Sequence, residues 1–321
     1  MNHDENARTQ VFVARTILTM NPAQPQATHV AVQGGRILAV GQEADMAAWP
    51  EAERIDHLHG KVLMPGLIEA HSHLMEGAMW EAVYLGYFDR RDPEGRLWPG
   101  LRTLDAVLAR LAEAERALPD AQATLLAWGF DPILFGSSRL SVRELDRVSA
   151  TRPIVILHAS VHLMNVNSAM LALAGIDEDT DIDGIHKDAE GQPTGELQEF
   201  AAMYPVQKVI GSALSLAAAE QREAIWKFGR VAQLAGVTTA TDLVSDLSPQ
   251  GLAALREVTG DAAYPLRIVP AFAPQRNPEG GAARVHAAAA SSASDKLQFG
   301  PVKFIVDGSI QGFTARLRAP G

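Results

Sequence analysis

The sequence predicts an α/β protein whose main body is a partial (β/α)8 TIM barrel, its first four β/α units. A small β-domain precedes that body, and an α/β insertion follows the first barrel strand. Three observations predict this. Strand-length runs fill residues 10–63 without an intervening helical pattern. From residue 214 onward, apolar strand-length runs alternate with helical patterns, as in parallel β/α units. Residues 79–212 alternate in the same way and far exceed ordinary loop length. The expected segments are therefore 1–62, 63–78, 79–212 and 213–321.

Taken in order, Gln10–Thr19 and Thr28–Val40 read as strands, the second broken by a turn at Gly34–Gly35. Arg54–Leu63 adds another. The stretch KVLMPGLIEAHSHL, Lys61–Leu74, then joins two apolar runs through Pro65–Gly66 and delivers His71 and His73. Residues two apart on a strand share a face. Two imidazoles at the end of a buried strand would converge on one point, a geometry suited to a divalent metal. His57 and His59 have the same spacing but lie among charged and polar residues, and receive no role.

In the insertion, Leu104, Val107, Leu108 and Leu111 form a helical stripe within Leu101–Leu118. Ala123–Trp128 and Pro153–His158 are strand-length apolar runs. Ser141–Val148 reads as a helix capped by Ser141, and Asn167–Ala174 as one stopped by Gly175. Leu214–Ala235 reads as a long amphipathic helix with Ser215 as its cap. Val237–Thr241 then forms a strand ending at Asp242, and Ser248-Pro249 starts a helix running to Val258. Pro265–Phe272 is the next strand, Ala282–Ala290 a weak helix, and Phe299–Val306 a last strand running into Asp307–Gly308. Barrel chemistry sits at the carboxyl ends of strands, where His71, His73, Asp242 and Lys303 fall.

Composition narrows the function class. With 47% hydrophobic and 21% charged residues, the chain has ample material for a core. A formal net charge of −10 argues against nucleic-acid and anionic-membrane partners. The absence of cysteine leaves a metal only histidine, carboxylate or modified lysine as ligands. The first twenty residues lack the pattern of a signal peptide, and no run reaches the roughly 20 apolar residues of a membrane span. A cytoplasmic protein is expected.

MPGLIEAHSHL resembles the first barrel strand of the metal-dependent amidohydrolase superfamily, in which two histidines end a PG-led apolar strand. Glu69 stands where the superfamily usually has aspartate. AWGFDP, LDRVSATRPIVILHASVHLMNVNSAMLALAGI and IDGIHKDAEGQPTGELQE resemble segments of the amidohydrolase family 3 branch, which includes N-substituted formamide deformylase. GVTTATD and VKFIVDGSIQGFTARL resemble its second and fourth barrel strands. The resemblance implies that the β-domain is half of a β-sandwich completed from the C-terminal side. It implies metal ligation by His71 and His73. It places Lys303 where many amidohydrolases carry a lysine carbamylated to bridge two metals, a ligand and catalytic position. The alternative for Lys303 is an ion pair with Asp307 or Asp242. His162, Asn167, Thr194, Gly195, Glu196 and Asp307 are implied as substrate-binding residues. The plain alternatives are a chain turn over Gly191–Gly195 and helix capping by Asn167.

The expected function is hydrolysis of a carbon–nitrogen bond other than a peptide bond, in an amide or formamide, with one or two divalent ions, zinc foremost. A small-molecule amide is the expected partner, and a homodimer is possible. Two other readings stay open: hydrolysis of another bond such as an ester, and a non-catalytic scaffold or binding protein that keeps the fold. Residues 63–78 and 213–321 are far fewer than the roughly 250 of an eight-unit barrel. No residue of this chain is assigned to the family's further histidines or barrel-end aspartate, so the expected site is incomplete.

Overall fold

A computed structural model describes residues 8–310, apart from 121, 137, 275–278 and 291–293, together with 314–316 and 318. The chain divides into two units, Met1–Leu67 and Ile68–Gly321.

In the first unit, β1 (Gln10–Leu18), β2 (Gln26–Gln33) and β3 (Arg36–Gly41) form an antiparallel set with β2 in the middle. β4 (Glu53–Ile55) and β5 (Val62–Leu63) both run parallel to β1. The single strand expected over Arg54–Leu63 is therefore two pieces. Asp56–Gly60 turns between them, with N–H groups of His59 and Lys61 donating to the carbonyls of Asp56 (2.9 Å) and Leu58 (2.8 Å). Alternation puts Ala14, Ile17, Ala27 and Val30 in one cluster and Val11, Ala31 and Met46 in another.

Among the described residues the second unit holds two larger sheets and a two-stranded hairpin. β6 (Leu67–Glu69) is followed by α1 (Glu76–Met79), β7 (Val83–Tyr84) and the hairpin β8 (Arg90–Arg91) and β9 (Leu97–Trp98). Next come α2 (Leu104–Ala117), β10 (Leu125–Phe130), α3 (Val142–Asp146), β11 (Ile154–His158) and β12 (Leu163–Val166). They are followed by α4 (Ser168–Ala174), β13 (Ile185–Lys187), β14 (Pro193–Gln198) and α5 (Glu199–Ile210). The larger sheet has the order β13-β14-β12-β11-β10-β7. Its strands β7, β10 and β11 are parallel, and β12, β13 and β14 are joined antiparallel. Alternate residues of β11 serve opposite faces: Ile154 and Ile156 pack with Val107 and Leu111 of α2, Val155 and Leu157 with Met203 and Val206 of α5. A strand covered on both sides reads as an unbroken apolar run, as this one does.

The second sheet has the order β16-β15-β6, with α6 (Arg222–Leu234), β15 (Val237–Ser245), α7 (Pro249–Gly260), β16 (Arg267–Phe272) and α8 (Gly281–Ala290). β15 and β16 are parallel. Ile225 and Phe228 of α6, Leu255 and Val258 of α7, Ala240, Ile268 and Leu74 share its core. The long helix expected from Leu214 begins at Arg222 instead, because Gln221 is extended (φ −85°, ψ 130°) and Leu216–Glu220 is a separate 3₁₀ turn. The strand expected over Phe299–Val306 is reduced to an isolated bridge between Val302 and Phe272. Gly300 has φ +143° and Pro301 has no N–H to donate, so the ladder cannot extend through them. Among the described residues this sheet does not close into a barrel.

Candidate active site

The two histidines sit beyond β6, not on it. Leu74 is fully buried in the β15–β16 core and pins the segment from one side. Ser72 pins it from the other: its hydroxyl donates to the Thr241 carbonyl, and its own carbonyl accepts from the Leu243 N–H at 3.1 Å. His71 and His73 therefore flank a residue tied to β15, and their rings meet edge to face, 5.5 Å apart with an interplanar angle of 85°. The His71 N–H donates to Glu69 Oε1 at 2.9 Å, so the glutamate at the usual aspartate position orders this turn.

Burial, and after it the neighbouring His71, Lys303 and His162, pushes the His73 pKa down to about 4. The ring is neutral at ordinary pH, the state in which imidazole binds a metal. Its Nδ1 is buried without a hydrogen-bond partner, 4.0 Å from Oδ1 of Asp242, which is itself 4% exposed on β15. An unpartnered ring nitrogen beside a buried carboxylate fits a divalent ion in chemistry. The number of ligands falls short: among the described residues no three His, Asp or Glu side chains are spaced to hold one.

Both histidines open into a cavity of about 1180 Å³ in the second unit. Lys303, Asp307 and His162 line it too. Lys303 is fixed by its backbone, the N–H donating to the Phe272 carbonyl at 2.8 Å. The Asp307 carboxylate accepts from the N–H groups of Gly308 (2.8 Å) and Arg316 (2.7 Å), so it organises its own loop. His162 faces the cavity from the turn before β12, its Nδ1 2.9 Å from Glu199 Oε2.

The other expected binding residues lie outside this wall. Asn167 is fully buried and caps α4: Oδ1 accepts from Ile154 (2.9 Å) and Met170 (3.1 Å), and Nδ2 donates to the carbonyls of Ser149 (2.7 Å) and Arg152 (2.8 Å). That uses the whole capacity of the amide and leaves nothing for a ligand. Thr194 Oγ1 donates to the His186 carbonyl at 3.2 Å within the β13–β14 pair. Gly195 has φ +85°, and a Cβ there would stand 2.2 Å from the Val166 carbonyl, so glycine lets β14 approach β12. Glu196 is buried and paired with Arg139, and accepts from Gln198 at 2.7 Å.

The sequence offered Asp242 only as a strand-end carboxylate and an alternative partner of Lys303, and gave no signal for Glu199 or the aromatic wall. Trp80, Tyr84 and Trp128 form a packed trio, the indoles 5.1 Å apart at 86°, with the Arg90 guanidinium 5.4 Å above Trp128 and paired to Glu76. Asp242 at a strand end was a visible signal. The wall joins positions distant in sequence and had none.

A family model described as the amidohydrolase family matches residues 53–320. N-substituted formamide deformylase of Arthrobacter pascens is 34% identical over 201 residues, covering 61% of this chain and 35% of that protein. The exoenzymes regulatory protein AepA of Pectobacterium carotovorum subsp. carotovorum is 34% identical over 200 residues, 60% of this chain and 41% of its own. The putative amidohydrolase YtcJ of Bacillus subtilis (strain 168) is 30% identical over 293 residues, 84% and 48%. The chain thus spans less than half the length of these relatives. Among solved structures, an uncharacterized metal-dependent hydrolase from Pyrococcus horikoshii OT3 superposes with a TM-score of 0.59 at 18% identity, over 94% of this chain and 55% of that one. That likeness shows a shared α/β fold. With the family match running through both sheets of the second unit and the histidine turn between them, the chain belongs to the amidohydrolase family.

Proposed function

We propose that this chain carries the first metal ligands and much of the substrate cavity of a metal-dependent hydrolase acting on carbon–nitrogen bonds other than peptide bonds, an amide or formamide. The observation that supports this best is His73: neutral, half-buried, with a buried and unpartnered Nδ1 beside Asp242, on the wall of a cavity large enough for a small organic amide. His71 and His73 would hold the ion, with Lys303 as a further ligand once carbamylated. A divalent ion held there, zinc foremost, supplies Lewis acidity that polarises a carbonyl and makes water acidic. Asp242, buried beside His73, is placed to hold a proton in transit. The tryptophan–tyrosine wall excludes water from the apolar part of a substrate. The parallel pair β15–β16 with β6 beside it supports reading this sheet as the start of a (β/α)8 barrel.

A second reading, a non-catalytic binding protein on the same fold, is favoured by the lack of a third ligand at metal spacing among the described residues. Zinc content and formate release from N-substituted formamides separate the two. His71→Ala or His73→Ala should weaken zinc binding on the order of tenfold or more, whereas His57→Ala leaves it unchanged. Full metal retention by the double variant would end the ligand assignment.

A further inference from the structure

His162 lies on the cavity wall, as does Phe200 at the start of α5. Between them the chain is tied twice. His162 Nδ1 stands 3.1 and 2.9 Å from the two carboxylate oxygens of Glu199, and the Glu199 N–H donates to the His162 carbonyl at 2.8 Å. The backbone on both sides is in the left-handed region, Val161 at φ 64° and Glu199 at φ 64°. A β-branched residue adopts that conformation rarely, and it persists only where the surroundings over-determine it, most often at functional sites. Here the conformation brings one carboxylate onto one edge of one imidazole.

The chemistry of that bond fixes the other edge. A carboxylate only accepts, so the proton of a neutral His162 ring sits on Nδ1 and the lone pair on Nε2. Among the described residues Nε2 has no hydrogen-bond partner. The cavity therefore offers a hydrogen-bond acceptor of fixed position on the wall formed by His162 and Phe200. Glu196, three positions before Glu199, is held instead by Arg139 and does not compete for the ring.

Building on the amide-hydrolase reading above, we propose that Glu199 is a positioning residue that sets the tautomer of His162, and that His162 Nε2 accepts a hydrogen bond from the N–H of a bound secondary amide. The site then discriminates by substitution at nitrogen. A secondary amide satisfies the lone pair, whereas a tertiary amide has no hydrogen to give and leaves it facing carbon, at the cost of the hydrogen bond it made to water.

The test is ¹⁵N NMR of the histidine-labelled 321-residue chain at pH 8, with His162 assigned through His162→Gln. N-methylformamide and N,N-dimethylformamide are the two probes. The expected wild-type ring is protonated at Nδ1 and bare at Nε2. N-methylformamide should move the Nε2 resonance saturably and N,N-dimethylformamide should not. Glu199→Gln, whose amide can donate as well as accept, should give a tautomer mixture and lose the response. A wild-type ring protonated at Nε2, or a response that is absent or equal for the two amides, overturns the proposal. So does a response unchanged in Glu199→Gln. If that variant does not fold, the wild-type tautomer and the two-amide comparison still decide. Formate release is read in parallel. Release without discrimination at Nε2 would sink this contact alone, and an intact Nε2 response in a chain that binds no zinc would sink the hydrolase reading alone.

Discussion

His158, at the end of β11, is 3% exposed and stands against Asn165. The Asn165 Nδ2 donates to the Leu140 carbonyl at 2.8 Å, which orients the amide and turns its Oδ1 toward His158 Nε2. The proton of the neutral ring is then on Nε2, and Nδ1 is buried without a partner. Burial pushes the pKa down to about 4, against an unfolded value near 6.5. The unfolded chain thus binds the proton first as pH falls. The stabilisation is complete above about pH 6.5, declines below it, and is lost as pH approaches 4, an effect on the order of 3 kcal/mol. Urea unfolding should show this slope in the wild type and a shallower one in His158→Gln, with His73 supplying what remains. Equal slopes would show that His158 is not held neutral. Single residues of this kind mark the limit of the sequence. The His71–His73 motif was legible because spacing and flanking apolar residues are local. The tasks of Asn167 and Glu196 depend on Ser149, Arg152 and Arg139, which only the folded sheet brings near.

Elements carry the histidine turn as much as residues do. α1 is a single helical turn, and it stays in place because Gly77 lets it lie directly on α6. A Cβ at position 77 would stand 1.9 Å from the Ala224 carbonyl and 2.7 Å from the Phe228 nitrogen, both rigid backbone. Gly77→Ala should therefore lift α1 from α6, destabilise the chain by about 1–3 kcal/mol, and displace the segment that holds His73. Thermal unfolding together with zinc titration checks both effects, and an unaltered midpoint would show that α6 can yield. At this scale the sequence was partly legible. Helices with a polar cap stand where expected, Thr103, Ser141, Asn167 and Ser248 each accepting an N–H in the first turn. α5 was missed because Pro205 lies inside it, and proline normally ends such a pattern. The strand expected at Phe299 failed because its apolar residues outweighed Gly300-Pro301 in the reading but not in the hydrogen bonding.

Across the molecule, apolar surface is unevenly hidden. The larger sheet of the second unit is covered on both faces. The segment after β16 leaves Phe304 65%, Val306 94% and Ile310 71% exposed. Contiguous apolar surface of this kind promotes association. The 321-residue chain should bind a hydrophobic dye and scatter light increasingly with concentration. Phe304→Ser with Val306→Ser should reduce both signals severalfold, and an unchanged signal would place the sticky surface elsewhere. The packed indoles of Trp80 and Trp128 have a different consequence. They are two of five tryptophans in the chain, set nearly at right angles, with a guanidinium above them and one forming part of the cavity wall. Two chromophores 5.1 Å apart are close enough to exchange excitation energy, and the guanidinium beside them shifts their transitions. The cavity thus carries its own optical gauge, and whatever fills it will alter the light this protein absorbs and emits.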